Sequence, residues 1–261
     1  MAAMSDWRSF WDSAHSIYVN ARHKDVHYRE IAERIAAFVP GPGARVLDYG
    51  CGEAIHADRL AAVAGEVLLC DAAPSVRAAI AARFAADPRI RVLAPEELEE
   101  MPDASLDLIV SNSVTQYLTP AELDHVLGSW RRLLKRDGTL VIGDVIPPDA
   151  GALTDVVALL RYAAANGFLV AALTGLLRTA ISPYSRLRSR IGVSRYAQPA
   201  FLDKLNSAGF AAERLPRNLE HNPARMTFRA TRGQRSEVRG QKSAIREGGA
   251  LSNPKPVDDP S

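Results

Sequence analysis

The chain has 261 residues, enough for one large α/β domain with an insertion and short for two ordinary domains plus a linker. Apolar residues make up 47% and charged residues 24%, which excludes a disordered, collagen-like or multi-span membrane chain. Lys plus Arg (32) against Asp plus Glu (30) leave a net charge of +2, so no nucleic-acid partner is expected, and two cysteines, Cys51 and Cys70, exclude a disulfide scaffold or four-cysteine zinc site.

The first twenty residues lack the basic head and continuous apolar stretch of a secretory signal, so a cytoplasmic location is expected. Residues 1–40 read as a helical cap: Ile31, Ile35 and Phe38 recur at three-to-four spacing before Pro40-Gly41-Pro42-Gly43 breaks the pattern. From 41 to 146, a core, short apolar runs alternate with helical stretches. ARVLDYG, EVLLCD, RIRVLA, LDLIVSN and GTLVIGDV read as strands, the last announced by an Asp137-Gly138 turn. EAIHADRLAAVA, PSVRAAIAARFAA and AELDHVLGSWRRLL read as helices. Such alternation predicts βαβ units and a parallel sheet covered on both faces, because a parallel crossover needs a helix-length connection.

Residues 147–198 read as an apolar and basic helical lid insertion. Between Val156 and Leu202 there is no Asp or Glu, while Arg161, Arg178, Arg186, Arg188, Arg190 and Arg195 are present. The uncharged run from Ala163 to Leu177 is shorter than the roughly 18 to 20 residues of a membrane span, so one or two inserted helices are expected. The core resumes over 199–231 with the helix PAFLDKLNSAGF, ended by Gly209, and strand candidates AAERL and ARMTFRA. The stretch 232–261, rich in Gly, Ser, Pro and charge, reads as a disordered tail.

The chemistry-bearing feature is VLDYGCGEA, an apolar strand running into a glycine turn and a helix. Gly50 and Gly52 let the backbone bend tightly and approach a ligand, and the free amides of the helix start favour an electronegative group. Dinucleotide-binding folds share a Gly-x-Gly turn, but their third glycine would fall at Ile55, where a bulky side chain opposes close helix-strand packing. Asp71, nineteen residues after Gly52, lies beside the glycine turn if the two strands are adjacent. There it can accept both hydroxyls of a ribose or cap the helix PSVRAAIAARF, and the two roles do not exclude each other. Asp48, on the strand itself, is costly to bury unless a cation or donor lies near, which suits a ligand with an amino group.

These residues resemble the class I S-adenosylmethionine-dependent methyltransferases, particularly the small-molecule branch. VLDYGCGEA looks like their first motif. The resemblance implies that Asp48 lies near the methionine amino group, that Gly50 and Gly52 line the methionine portion and that Cys51 contacts the cofactor by its backbone. EVLLCDAAPSVRAA resembles the second motif, implying Asp71 on the ribose and Ala72 beside the adenine. MPDASLDLIVSNSVTQYL resembles the fourth-strand motif, which implies that Ser111, Asn112 and Ser113 approach the methionine end and that Gln116 and Tyr117 face the transfer pocket. Where the family usually places an acid on the adenine amino group, this chain has Ala94 and Pro95; Glu96 or Glu97 serves instead, with Leu98 near the ring, or these glutamates form a solvated turn. The implied architecture is α/β: a Rossmann-like three-layer sandwich, a mostly parallel seven-stranded sheet with helices on both faces and a helical lid insertion.

The expected function is S-adenosylmethionine-dependent methyl transfer by in-line displacement. The alternatives are a nicotinamide-dependent oxidoreductase and a non-catalytic cofactor-binding scaffold. A base is needed only for an acceptor that arrives protonated. Candidates are His15, Tyr18, His27, Tyr117 and His125, and the resemblance adds that the N-terminal helices fold over the cofactor. No metal is expected, since His15, His23 and His27 offer one i, i+4 pair and no third ligand at a recognisable spacing. The acceptor is expected to be a small molecule, lipophilic or anionic, received by the insertion, whose arginines would also allow peripheral contact with an anionic membrane.

Overall fold

The computed structural model describes residues 6–12, 18–179 and 193–233. His15, most of the expected tail and part of the arginine-rich insertion lie outside the described residues. The helices are α1 (Asp6–Trp11), α2 (Ala21–Ala36), α3 (Ala57–Ala61), α4 (Pro74–Arg83), α5 (Pro120–Leu133), α6 (Ala152–Asn166), α7 (Leu169–Thr179) and α8 (Gln198–Ser207). The strands are β1 (Arg45–Tyr49), β2 (Glu66–Cys70), β3 (Ile90–Leu93), β4 (Leu106–Asn112), β5 (Leu134–Val145), β6 (Phe210–Arg214) and β7 (Met226–Arg232). They form one seven-stranded sheet in the order β3-β2-β1-β4-β5-β7-β6. Every pairing is parallel except those of β7, which runs antiparallel to β5 and β6.

Alternate strand residues point to opposite faces, which makes two apolar layers. On one side Leu47, Leu68, Ile109 and Leu140 pack with Leu123, Leu127 and Trp130 of α5 and Phe201 and Leu205 of α8. On the other, Val46, Val67, Leu69 and Val110 pack with Ile35 of α2, Leu60 of α3 and Ile80 of α4. This is the expected three-layer α/β sandwich, mostly parallel with one antiparallel hairpin.

Three local readings need correction. The helix expected over 53–64 is only Ala57–Ala61, because Ala54 takes a positive φ of 42° and the Glu53 amide donates to the Tyr28 hydroxyl at 2.9 Å, both of which keep 53–56 in a loop. The Asp137-Gly138 turn does not exist: β5 starts at Leu134 directly after α5 and absorbs the extra residues as a bulge, its pairing jumping from Leu106↔Leu134 to Leu108↔Thr139. Gly138 is needed there, since a Cβ would lie 2.9 Å from the Leu134 side chain and 3.1 Å from the Asp107 carbonyl oxygen. Asp71 is not the cap of α4 either. The N-cap is Ala73, whose amide donates to Asp71 Oδ1 at 2.9 Å.

Within the insertion, α6 ends at Gly167 in the left-handed conformation (φ 74°), which turns the chain into α7. Ala163, Phe168 and Ala172 close a small core there with Val19. Among the described residues no helix is long and apolar enough to cross a membrane.

Candidate functional site

A cavity of about 470 Å³ opens at the carboxyl ends of β1, β2, β4 and β5, where the parallel strands end and helices turn away. Its wall contains Asp48, Gly50, Cys51, Gly52, Asp71, Ala72, Glu96, Asn112, Ser113, Gln116, Tyr18, His27 and Tyr117 from the sequence reading. Glu97, Leu98, Ser111 and His125 are not on that wall. Glu97 accepts from the Ala94 amide at 2.6 Å and so caps its own turn, Leu98 is buried in the core, Ser111 is wholly buried inside the sheet, and His125 is exposed beside Glu99.

The floor is the glycine loop. Gly50 and Gly52 have φ of 75° and 56°, conformations that L side chains rarely adopt. A Cβ on Gly50 would collide with the Val114 side chain, and one on Gly52 would lie 2.7 Å from the Tyr28 hydroxyl oxygen. The Gly50 amide donates to the Cys70 carbonyl at 2.7 Å and the Gly52 amide to Asp71 Oδ2 at 3.0 Å, which ties the β1 loop to the end of β2. Asp71 therefore holds two backbone amides and keeps lone pairs for two further donors. Its pKa is raised by burial, against the Ala73 and Gly52 amides and Arg77, which lower it. The Cys51 thiol is buried and its pKa pushed up by burial, so it is a poor nucleophile.

Asp48 stands apart from this web. Among the described residues no donor or cation meets its carboxylate, although it lies on the cavity wall, and burial, reinforced by the neighbouring Asp71, pushes its pKa up to about 7. An unpartnered acid at the end of the first strand is a standing request for a cationic or donor group.

At the adenine-side end expected from Asp71, Ala72, Pro95 and Glu96 share the wall with Trp7, Trp11 and Tyr117. Tyr117 stacks on Trp7 (6.1 Å, 23°) and meets Trp11 edge-on (5.7 Å, 74°). Asp12 accepts from the Ser75 amide at 2.8 Å, so α1 is anchored to the start of α4. From the other side α2 presents His23, His27, Tyr28 and Ile31, and Tyr18, whose buried hydroxyl has its pKa raised by desolvation and by Tyr28, packs against His27 at 5.2 Å.

Opposite the glycine loop lies a polar cluster that the sequence reading did not assemble. Asp144 stands one residue before the end of β5, with φ 63°, and is almost fully buried. It accepts from Ser113 Oγ at 2.8 Å, Asn218 Nδ2 at 3.2 Å and Arg225 Nη1 at 2.5 Å. Burial raises its pKa and Arg225 opposes that rise. The other Arg225 nitrogen, Nη2, grips both Asp155 oxygens at 3.1 Å, which fastens α6 to the β6–β7 loop. Glu220 of the same loop accepts from Asn112 Nδ2 at 2.7 Å, with His27 Nδ1 at 3.5 Å and His221 Nδ1 at 3.6 Å. Burial works against its ionisation, but the two imidazoles and Asn112 hold its pKa below the usual carboxylate range. His23 is pushed down to about 4 by burial and by its histidine neighbours. The available signal was two Asn, a Glu, a His and an Arg crowded into NLEHNPAR before the last strand, too many polar groups for a simple hairpin loop.

Residues 47–142 match the family described as a methyltransferase domain. Over 122 residues the chain is 30% identical to a probable S-adenosylmethionine-dependent methyltransferase of Mycobacterium tuberculosis, represented in two strains. The match takes in 46% of this chain and 40% of the relative, so the chain spans well under half the length of that protein. Among solved structures, the magnesium protoporphyrin IX methyltransferase of Synechocystis PCC 6803 with bound S-adenosylmethionine superposes with a TM-score of 0.56 at 14% identity, covering 89% of this chain and 98% of that one. The DhpI complex with S-adenosylhomocysteine gives 0.56 at 12% identity, covering 89% and 96%. Residues 47–142 of this chain are thus similar to methyltransferase domains, and the chain shares its fold with these solved structures.

Proposed function

We propose that the chain transfers a methyl group from S-adenosylmethionine to a small, largely apolar acceptor by in-line displacement. The observation that carries this is the unpartnered Asp48 carboxylate beside the Gly50–Gly52 cradle, one strand from Asp71: an acid awaiting an amino group next to an acid able to take ribose hydroxyls. When bound, S-adenosylmethionine supplies an electrophilic methyl on a sulfonium whose departure leaves a neutral thioether, so no oxyanion hole is required. The chain's part is to bind, align and exclude water. Asp48 and the loop amides orient the amino-acid end, Asp71 the sugar, and Trp7, Trp11 and Tyr117 cover the adenine side. Holding the acceptor about 3 to 3.5 Å from the methyl, in line with the departing sulfur, is worth on the order of 7 to 11 kcal/mol of the barrier.

Six acids line the cavity (Asp48, Asp71, Glu96, Asp144, Asp155 and Glu220) against two arginines, Arg8 and Arg225, a balance that suits a cationic cofactor and disfavours the anionic acceptor allowed by the sequence reading. Arg161 and Arg195 of the insertion are not on the cavity wall; Arg195 donates to the Pro148 and Ala150 carbonyl oxygens. A lipophilic acceptor is supported by Leu159, Ile31 and the tyrosines of the wall. Peripheral contact with an anionic membrane is supported by the exposed Val157, Leu169, Val170 and Leu173 of the acid-free stretch after Val156, together with the exposed Leu153 at the start of α6. Flotation with phosphatidylcholine vesicles, with and without phosphatidylglycerol, tests this. Binding that needs the anionic lipid and is lost in Leu153→Glu/Val170→Glu supports it, and no binding to either refutes it.

The central test is calorimetric titration of the wild-type chain and Asp71→Ala with S-adenosylmethionine and S-adenosylhomocysteine. The loss of a charge-assisted hydrogen bond, about 1.5 to 3 kcal/mol, weakens binding roughly 10- to 100-fold. Absence of binding by the wild type refutes the proposal. Binding without turnover on any acceptor favours the scaffold alternative.

A further inference from the structure

The acceptor side of the cavity carries more chemistry than alignment requires. The carboxylates there already have partners: Glu220 has Asn112 and two imidazoles, Asp144 has Ser113, Asn218 and Arg225, and Asp155 has Asn222 and Arg225. None is left over for an ammonium acceptor. Two buried carbonyl oxygens on the wall, Asn112 Oδ1 and Gln116 Oε1, have no donor among the described residues, and Gln116 is 7% exposed. They call for a ligand that brings a hydrogen-bond donor.

Of the histidines on this wall, His23 is held neutral by burial, His56 Nε2 is taken by Asp25 and His221 shares the Glu220 carboxylate, which leaves His27, on the helix that faces the glycine loop, to receive a proton. It projects from α2 into the cavity, with Tyr18 and Tyr28 packed at 5.2 and 5.0 Å and Glu220 on its Nδ1 side at 3.5 Å. A carboxylate beside Nδ1 favours the tautomer with its hydrogen there, which leaves the Nε2 lone pair open to a proton. Among the described residues Nε2 has no partner. Asn112, which donates to Glu220, lies at the end of β4 next to Ser113, so the dyad is pinned to the strand that borders the cofactor cradle.

Resting on the methyltransferase reading above, we propose that His27, oriented by Glu220, is the general base for a neutral hydroxyl acceptor, a phenol or an alcohol, which this chain methylates on oxygen. The hydroxyl O–H bond breaks and its proton passes to His27 Nε2. The oxygen lone pair forms the new bond to the methyl carbon as the carbon–sulfur bond breaks, and that electron pair stays on sulfur as a neutral thioether. The positive charge of the sulfonium thereby reappears on the imidazolium, beside the Glu220 carboxylate that stabilises it. Glu220 is a positioning residue in this scheme, and Gln116 Oε1 is the acceptor available to a second donor on the same molecule.

The test uses the full chain, radiolabelled S-adenosylmethionine and three probes with one ring system: 2-naphthol, 2-naphthalenethiol and 2-naphthylamine. Near pH 8 the thiol arrives ionised and needs no base, whereas the naphthol arrives protonated. His27→Gln and His27→Ala are expected to lose roughly 100-fold or more on the naphthol while methylation of the thiol changes little, with S-adenosylhomocysteine affinity retained. Added imidazole should restore part of the naphthol activity of His27→Ala. Glu220→Gln should lower kcat on the naphthol by less than the His27 variants, with KM unchanged. Equal losses on naphthol and thiol overturn the assignment of His27 as base. A wild-type chain that binds S-adenosylhomocysteine but leaves the naphthol unmethylated, or prefers the amine, overturns the hydroxyl acceptor. Failure to bind S-adenosylhomocysteine at all is a different result and refutes the methyltransferase reading itself.

Discussion

Replacing Asp48 by Asn should make the ligand-free protein more stable while crippling its cofactor binding. Its carboxyl stands half-buried on the cavity wall without a partner among the described residues and beside Asp71, and desolvation raises its pKa from 3.8 to about 7. A difference of that size corresponds to about 4 kcal/mol. Because the folded-state value lies above the unfolded one, the side chain costs the fold nothing below about pH 4, where both states hold the proton. The penalty then grows as pH rises to about 7 and is constant above it. Asn has the same shape and no proton to lose. Urea unfolding of the two proteins should therefore show the advantage of Asp48→Asn widening by about 3 kcal/mol between about pH 5 and about pH 8. The same substitution removes the negative charge opposite the amino group, and calorimetry near pH 8 should show S-adenosylhomocysteine binding weakened roughly 10- to 100-fold. A stability difference that stays flat across that pH range would refute the reasoning, since it would mean that Asp48 is as well solvated or as well paired in the fold as in the unfolded chain.

Gly52→Ala should lower unfolding free energy by about 1 to 3 kcal/mol, because it places a Cβ at φ 56° and 2.7 Å from the Tyr28 hydroxyl; Gly52→Ala/Tyr28→Phe should recover the steric part but not the backbone part, and a Gly52→Ala protein as stable as wild type contradicts this. Arg225→Met should cost about 3 to 5 kcal/mol by leaving the buried Asp144 and the half-buried Asp155 without their cation, with part regained in Arg225→Met/Asp144→Asn. Thermal unfolding reads this directly, and a loss under about 1 kcal/mol sinks the view that the cluster is a tightly paired one.

The sheet was readable from its strands because both faces are covered, and LDLIVSN is a continuous apolar run with no competing period, found as a strand over Leu106–Asn112. The misread pieces are those in which a tertiary contact overrides local pattern. The bulge in β5 looks like a turn until β4 is beside it, and the start of α3 looks helical until the Tyr28 hydroxyl claims the Glu53 amide. The glycine-loop wall of the cavity was legible because its residues follow one another in two short motifs. Leu98 was misplaced because the short helix over Pro95–Glu100 turns it inward, where it is 2% exposed, and keeps Glu96 outward. The acid–base cluster was not legible as a unit. His27, Asn112, Asp144, Glu220 and Arg225 come from α2, β4, β5 and the β6–β7 loop, and no spacing in one dimension announces a meeting made by the order of strands in a sheet.

The position of β7 between β5 and β6 has a consequence for synthesis. The chain makes β5 and β6 before β7, and β7 is the strand that joins them. Until Met226–Arg232 arrives, the long β5 shows an unsatisfied hydrogen-bonding edge built from Leu140, Val141 and Ile142, the kind of surface that recruits other chains. A nascent or truncated chain ending before residue 226 therefore carries both a sticky edge and an incomplete site, since Arg225 and Glu220 are held by the same late hairpin. Solubility and chemistry are completed by one event, the insertion of the last strand.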